Sequence, residues 1–96
     1  MRRYYLVCYD IRQSKRLQRM HRLMAGYGDP LQYSVFLCLL SRAEVVTMLD
    51  AIKEVINQRE DSVLVVDLGK VKGARPDCIQ TLGCQKLPEM KNVFLT

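Results

Sequence analysis

The chain has 96 residues, 49% of them hydrophobic and 26% charged, with a formal net charge of +5. That length suits one domain and excludes two independent cores, and the hydrophobic content excludes an intrinsically disordered chain. No apolar run approaches the roughly 18 residues of a spanning helix, and the N-terminal residues lack a signal-peptide cleavage pattern, so a cytoplasmic protein with no membrane partner is expected.

Tyr4 to Tyr9 is a continuous apolar and aromatic run, the pattern of a central strand covered on both faces, and Asp10 stands where it ends. Ser14 is placed to cap a helix. From Lys15 to Ala25 the residues Leu17, Met20, Leu23 and Met24 fall on one face at helical spacing. Gly26 and Gly28 predict the end of that helix through the left-handed conformation glycine tolerates. Leu31 to Leu40 is strand-like, with Pro30 fixing its start. No clear hairpin turn interrupts it, so one long bent strand and two short strands both remain open.

Ser41-Arg42-Ala43-Glu44 has capping-box spacing, and Val45, Met48, Leu49, Ile52, Val55 and Ile56 extend a second amphipathic helix over about four turns. Val63 to Leu68 reads as another strand of buried character. Gly69 and Gly73 bracket an expected turn carrying Lys70 and Lys72, Cys78 to Leu82 predicts a short edge strand, and Asn92 to Thr96 a weaker one. Strand, helix, strand or strands, helix, strand is the split βαβ order of an α+β domain, an antiparallel sheet with two helices on one face. Helices on one face leave the other apolar face wet, and a second copy of the chain is its simplest cover.

The charge is concentrated. Residues 1 to 22 hold Arg2, Arg3, Arg12, Lys15, Arg16, Arg19 and Arg22 against Asp10 alone, a net +6, while the remaining 74 residues sum to −1. On the first helix Lys15, Arg19 and Arg22 form a stripe at i, i+4 and i+7, opposite the apolar group. Such a stripe is either a solvated polar face or a track for a phosphate backbone. Asp10, the sole acid among the first 28 residues, is either a turn residue or a magnesium ligand. Mg²⁺ takes hard oxygen donors and needs few protein carboxylates when a phosphate and water complete its shell. In a two-fold dimer two copies of Asp10 can share one ion.

His21, the single histidine, reads first as a half-buried packing residue and second as a proton shuttle. Tyr4, Tyr5, Tyr9, Tyr27 and Tyr33 occupy strand or strand-edge positions, where aromatic rings fill the core more often than they stack on a base. Cys8, Cys38, Cys78 and Cys84 have no C-x-x-C spacing and read as free thiols buried on strands. No phosphate-binding glycine loop is present, which excludes the common nucleotide triphosphate chemistry.

Three pieces of sequence, the strand YYLVCYDI, the basic helix KRLQRMHRLM and the segment GYGDPLQYSVFLC, together resemble the family of CRISPR-associated protein two over residues 4 to 68. The resemblance implies a single ferredoxin-like domain over residues 1–96 that works as a homodimer, with segment 71–96 adding an edge strand at the dimer interface. It implies that Asp10 is both the magnesium ligand and the catalytic residue. Arg12, Lys15, Arg16, Arg19 and Arg22 would bind nucleic acid, and Tyr9, Ser34 and Phe36 would support the site. The implied activity is metal-dependent endonuclease cleavage of RNA or double-stranded DNA, an antiviral role in spacer acquisition with the CRISPR integrase. Two alternatives share the fold: a non-catalytic dimeric DNA-binding adaptor of the integrase complex, and a toxin-like ribonuclease. An RNA-recognition module is disfavoured, since VLVVDLG carries no aromatic where that class needs one.

Overall fold

In the computed structural model, which describes residues 1–70, 76 and 78–83, the first apolar run forms β1 (Arg3–Asp10). It is followed by α1 (Ser14–Ala25), β2 (Gly28–Gln32), β3 (Val35–Leu40), α2 (Arg42–Val55) and β4 (Ser62–Lys70). All strand pairs are antiparallel, in the order β2-β3-β1-β4, so the chain is α+β with β1 and β3 at the centre.

Period-two alternation sorts the strands between two faces. Val7 and Tyr9 of β1 and Phe36, Cys38 and Leu40 of β3 bury against Met20 and Met24 of α1 and Met48, Ile52 and Val55 of α2. Both helices therefore cover the same face. Phe36, Met20, Met24 and Met48 are wholly excluded from water, and truncating a ring such as Phe36 to alanine costs about 3–5 kcal/mol. The other face carries a smaller cluster of Tyr4, Leu37 and Leu39, against which Ile79 packs. Leu64 and Val66 stay 65% and 43% exposed on that helix-free face.

Several sequence expectations are corrected. The cap of α1 is Gln13, whose side-chain oxygen accepts from the Arg16 N–H at 3.2 Å, so Ser14 is the first helical residue. Gly26 ends α1 in a right-handed conformation (φ −81°), with Gly26 and Tyr27 N–H donating back to Leu23 and Met24 carbonyls in tight i→i−3 bonds. Gly28 is needed for close approach instead, since a Cβ there would meet the Leu37 carbonyl oxygen and, at 2.6 Å, the Cys38 sulfur.

Leu31 to Leu40 resolves into parts of two strands joined at Tyr33 and Ser34, with Pro30 tolerated because β2 is an edge. The run VLVVDL is also an edge strand, in which Val63, Val65 and Leu68 are half-buried and the rest exposed. Gly69 lies within β4 at φ +102°, opposite a register irregularity between Tyr4 and Tyr5, and not in a turn. Cys78 to Leu82 forms no strand, and Cys78 is exposed while Cys8 is half-buried and Cys38 buried. The capping box of α2 forms as expected: Glu44 N–H donates to Ser41 Oγ at 3.2 Å and Ser41 N–H to Glu44 Oε1 at 2.7 Å. The expected strand at Asn92 to Thr96, Gly73, Cys84 and most of segment 71–96 lie outside the described residues.

Candidate metal and nucleic-acid site

Asp10 is the last residue of β1, paired across the sheet with Ser62, the first of β4. Alternation sets it on the opposite side of the strand from buried Tyr9, and its carboxylate is 61% exposed. Its one ionic partner among the described residues is Arg12, with Nη2 3.3 Å from Oδ2 and a side chain 67% exposed. The exposed pair holds weakly, so Asp10 can exchange the guanidinium for another cation. No group of three or more His, Cys, Asp or Glu side chains able to hold a metal occurs among the described residues. Asp10 itself offers one exposed hard carboxylate. That fits Mg²⁺, which keeps water and takes phosphate oxygens, and does not fit a closed zinc site.

Behind Asp10 lies an aromatic cluster. Tyr9 N–H donates to the Ser34 carbonyl at 3.0 Å, which ties the β2–β3 turn to the end of β1. The Tyr9 hydroxyl lies 3.5 Å from both His21 Nδ1 and the Tyr33 carbonyl oxygen, and its ring stacks on Phe36 at 6.2 Å. Burial, with the nearby Tyr33 hydroxyl adding to it, pushes the Tyr9 phenol up to about 12, so Tyr9 stays a neutral donor. His21 stacks on Tyr33 at 5.6 Å and meets Phe36 edge-on at 5.4 Å, the packing role read first from sequence. Phe36 and Tyr9 are thus buried behind the end of β1, and half-buried Ser34 meets that strand through its backbone carbonyl.

The structure sorts the basic surplus. Arg2 pairs with Glu44 at 3.2 Å, Arg3 with Asp67 at 3.0 Å, and Arg16 with Glu60 and Asp61, both at 2.8 Å. Lys15, Arg19 and Arg22 are exposed on α1 and make no ion pair among the described residues. Of the cations in the first 22 residues, those three, with Arg12, are the ones left open to an outside anion. Arg16 is differently placed, for its guanidinium is committed inside the protein.

The residue that sequence reading missed is Asp61. Its side chain is wholly buried and accepts four hydrogen bonds: from Arg16 Nε at 2.8 Å and Nη2 at 3.2 Å, and from the backbone N–H groups of Arg12 and Asn57, both at 2.8 Å. The Arg16 guanidinium foremost, then the two backbone donors, outweigh burial and hold its carboxyl down to about 2. Asp61 so fastens the loop that follows Asp10 to the start of β4. Two adjacent acids, Glu60 and Asp61, at the head of a strand in a chain with a basic first quarter were the available signal.

A family model described as CRISPR associated protein Cas2 matches residues 1–74. The CRISPR-associated endoribonuclease Cas2 of Geobacter sulfurreducens is 43% identical over 76 residues, which cover 79% of this chain and 80% of that protein. Among solved structures, Streptococcus pyogenes Cas2 superposes with a TM-score of 0.70 at 28% identity, covering 83% of this chain and 99% of the other. A hypothetical protein from Thermus thermophilus does so with a TM-score of 0.76 at 27% identity, covering 93% and 100%.

Proposed function

Because the chain belongs to the family of CRISPR-associated protein Cas2, we propose that it is a magnesium-dependent endonuclease that hydrolyses phosphodiester bonds of RNA or double-stranded DNA. It acts in the cytoplasm as a homodimer, alongside the CRISPR integrase, in antiviral spacer acquisition. The observation that carries this reading is Asp10, an exposed carboxylate at the end of β1 that stands just before the helix bearing the unpaired cations Lys15, Arg19 and Arg22.

Each residue has a separate task. Asp10 holds magnesium, which when bound supplies charge neutralisation at the phosphate and lowers the pKa of a water. Arg12, exposed beside Asp10, would be a second cation for phosphate. Lys15, Arg19 and Arg22 grip the backbone without regard to sequence. Tyr9, Phe36 and the Ser34 carbonyl keep the strand end fixed, and Asp61 with Arg16 fixes the loop after it. The exposed Leu64 and Val66 supply an apolar face for the second copy. No helix among the described residues is long and apolar enough to cross a membrane.

The test is cleavage of RNA and of duplex DNA by the parent and by Asp10→Asn. Magnesium-dependent cleavage is expected in the parent, abolished by EDTA and absent from the variant, with binding kept. A variant that cleaves as fast as the parent sinks the reading.

A second reading, the non-catalytic DNA-binding adaptor, is favoured by one observation: Asp10 is already paired with Arg12 and belongs to no group of three or more metal-ligating side chains among the described residues. In that case Asp10→Asn leaves spacer acquisition intact and the parent shows no magnesium-dependent cleavage.

A further inference from the structure

Tyr33 does not fill the core as its position in the sequence suggests. It is 65% exposed at the β2–β3 turn, the one described aromatic ring so open to water. Turn chemistry does not call for it, since two-residue connections favour Gly, Asn, Asp or Ser, and neither Tyr33 nor Ser34 adopts a positive φ. Nor is the ring loose. One of its faces lies on the His21 imidazole, near-parallel at 18° with centroids 5.6 Å apart, and His21 is itself braced edge-on by buried Phe36. Its backbone carbonyl faces the Tyr9 hydroxyl at 3.5 Å. With one face stacked and the side chain largely in solvent, the second face of the ring is free.

Its surroundings say what that face would take. Ser34, the next residue, is bonded to the end of β1 that presents Asp10, and His21 adjoins Arg22 of the cationic stripe on α1. A rigid aromatic face stacked on the helix that bears unpaired cations offers the two elements that single-stranded nucleic acids use, charges for the backbone and a ring for the base. A base inside a duplex is stacked on both sides and cannot reach such a ring without being extruded.

We propose that Tyr33, backed by His21, is a stacking platform for one unpaired nucleobase next to the strand end that carries Asp10. The inference rests on the nucleic-acid reading above and adds a residue that discriminates single strands from blunt duplex.

The experiment measures binding in EDTA, so that cleavage plays no part. A short single-stranded RNA, a single-stranded DNA of the same sequence, each carrying 2-aminopurine, and the blunt duplex are titrated with the parent, Tyr33→Phe and Tyr33→Ala. Stacking should quench 2-aminopurine in the parent and in Tyr33→Phe. Tyr33→Ala should lose the quench and bind single strands roughly tenfold more weakly, in the range that removal of one stacked aromatic produces. Its duplex affinity should match the parent's, which also shows that the variant is folded. Equal loss in RNA and DNA assigns the contact to the base, and a loss confined to RNA assigns it to a base held with its ribose.

If Tyr33→Ala binds single strands as the parent does, or loses single-strand and duplex affinity alike, the platform is wrong while the nucleic-acid reading stands. If the parent binds no nucleic acid, both fall.

Discussion

Replacing Asp61 by Asn removes a charge while changing almost nothing in volume, and the structure sets the cost. The native carboxylate accepts four hydrogen bonds and every neighbour is a donor: Arg12 N–H and Arg16 Nη2 on Oδ1, Asn57 N–H and Arg16 Nε on Oδ2. An amide offers one oxygen and one NH₂ group. Whichever way it turns, two donors face another donor, one of them a backbone N–H. Hydrogen bonds to a charged acceptor are worth about 1.5–3 kcal/mol each. The Arg16 guanidinium is 19% exposed and keeps Glu60, so its share is smaller. A loss of about 3 kcal/mol follows, a large part of the roughly 5–15 kcal/mol that holds a domain folded.

Urea unfolding at neutral pH reads this as a lower midpoint at unchanged slope. The acid limb gives a second reading with a definite sign. The Asp61 carboxyl is depressed from 3.8 to about 2, so its contribution is fully present above the unfolded value and is lost as pH falls from about 4 through about 2. The parent should lose that contribution over this window, and Asp61→Asn, lacking it at the outset, should show a shallower decline there. A variant within about 0.5 kcal/mol of the parent at neutral pH would refute the reasoning, because that is the scale of an ordinary surface substitution.

Replacing Lys15, Arg19 and Arg22 together by Gln should flatten the slope of log affinity for duplex DNA against log salt by up to about 2.7, at near 0.9 for each phosphate contact; an unchanged slope returns the stripe to solvated surface. Sedimentation should give twice the chain mass for the parent at micromolar concentration, and Leu64→Glu with Val66→Glu should reduce it toward the monomer. A dimer indifferent to both substitutions would place the interface away from the helix-free face.

Much of the fold is legible in the sequence because it is written in short-range periodicity. The run from Tyr4 to Tyr9 and the apolar stripes of α1 and α2 report directly which residues leave water, and the Ser41–Glu44 capping box is a four-residue signal that forms as read. The hairpin was illegible because Tyr33-Ser34 lacks the Gly, Asn or Asp that most strongly marks a two-residue turn. The edge position of β4 was illegible because VLVVDL, apolar on successive residues, gives no sign that one face stays exposed.

The candidate site divides in the same way. Asp10 at a strand end and the stripe of α1 are local patterns. Which cations remain free is not local, since it is decided by Arg2–Glu44, Arg3–Asp67 and Arg16–Asp61 pairs that close across the fold. The same holds for Tyr33, whose exposure depends on the turn that tertiary pairing creates.

Asp10 is proposed to hold the magnesium that cleavage needs, and exchanging its ligand chemistry tests that most directly. Asp10→Cys puts a soft thiolate where a hard carboxylate stood, which disfavours Mg²⁺ and favours softer divalent ions. The rate of RNA cleavage by Asp10→Cys should fall to background in magnesium and return in part when manganese or cadmium replaces it, while Asp10→Ala stays inactive in all three. Cleavage by Asp10→Cys in magnesium at the parent's rate would contradict the account.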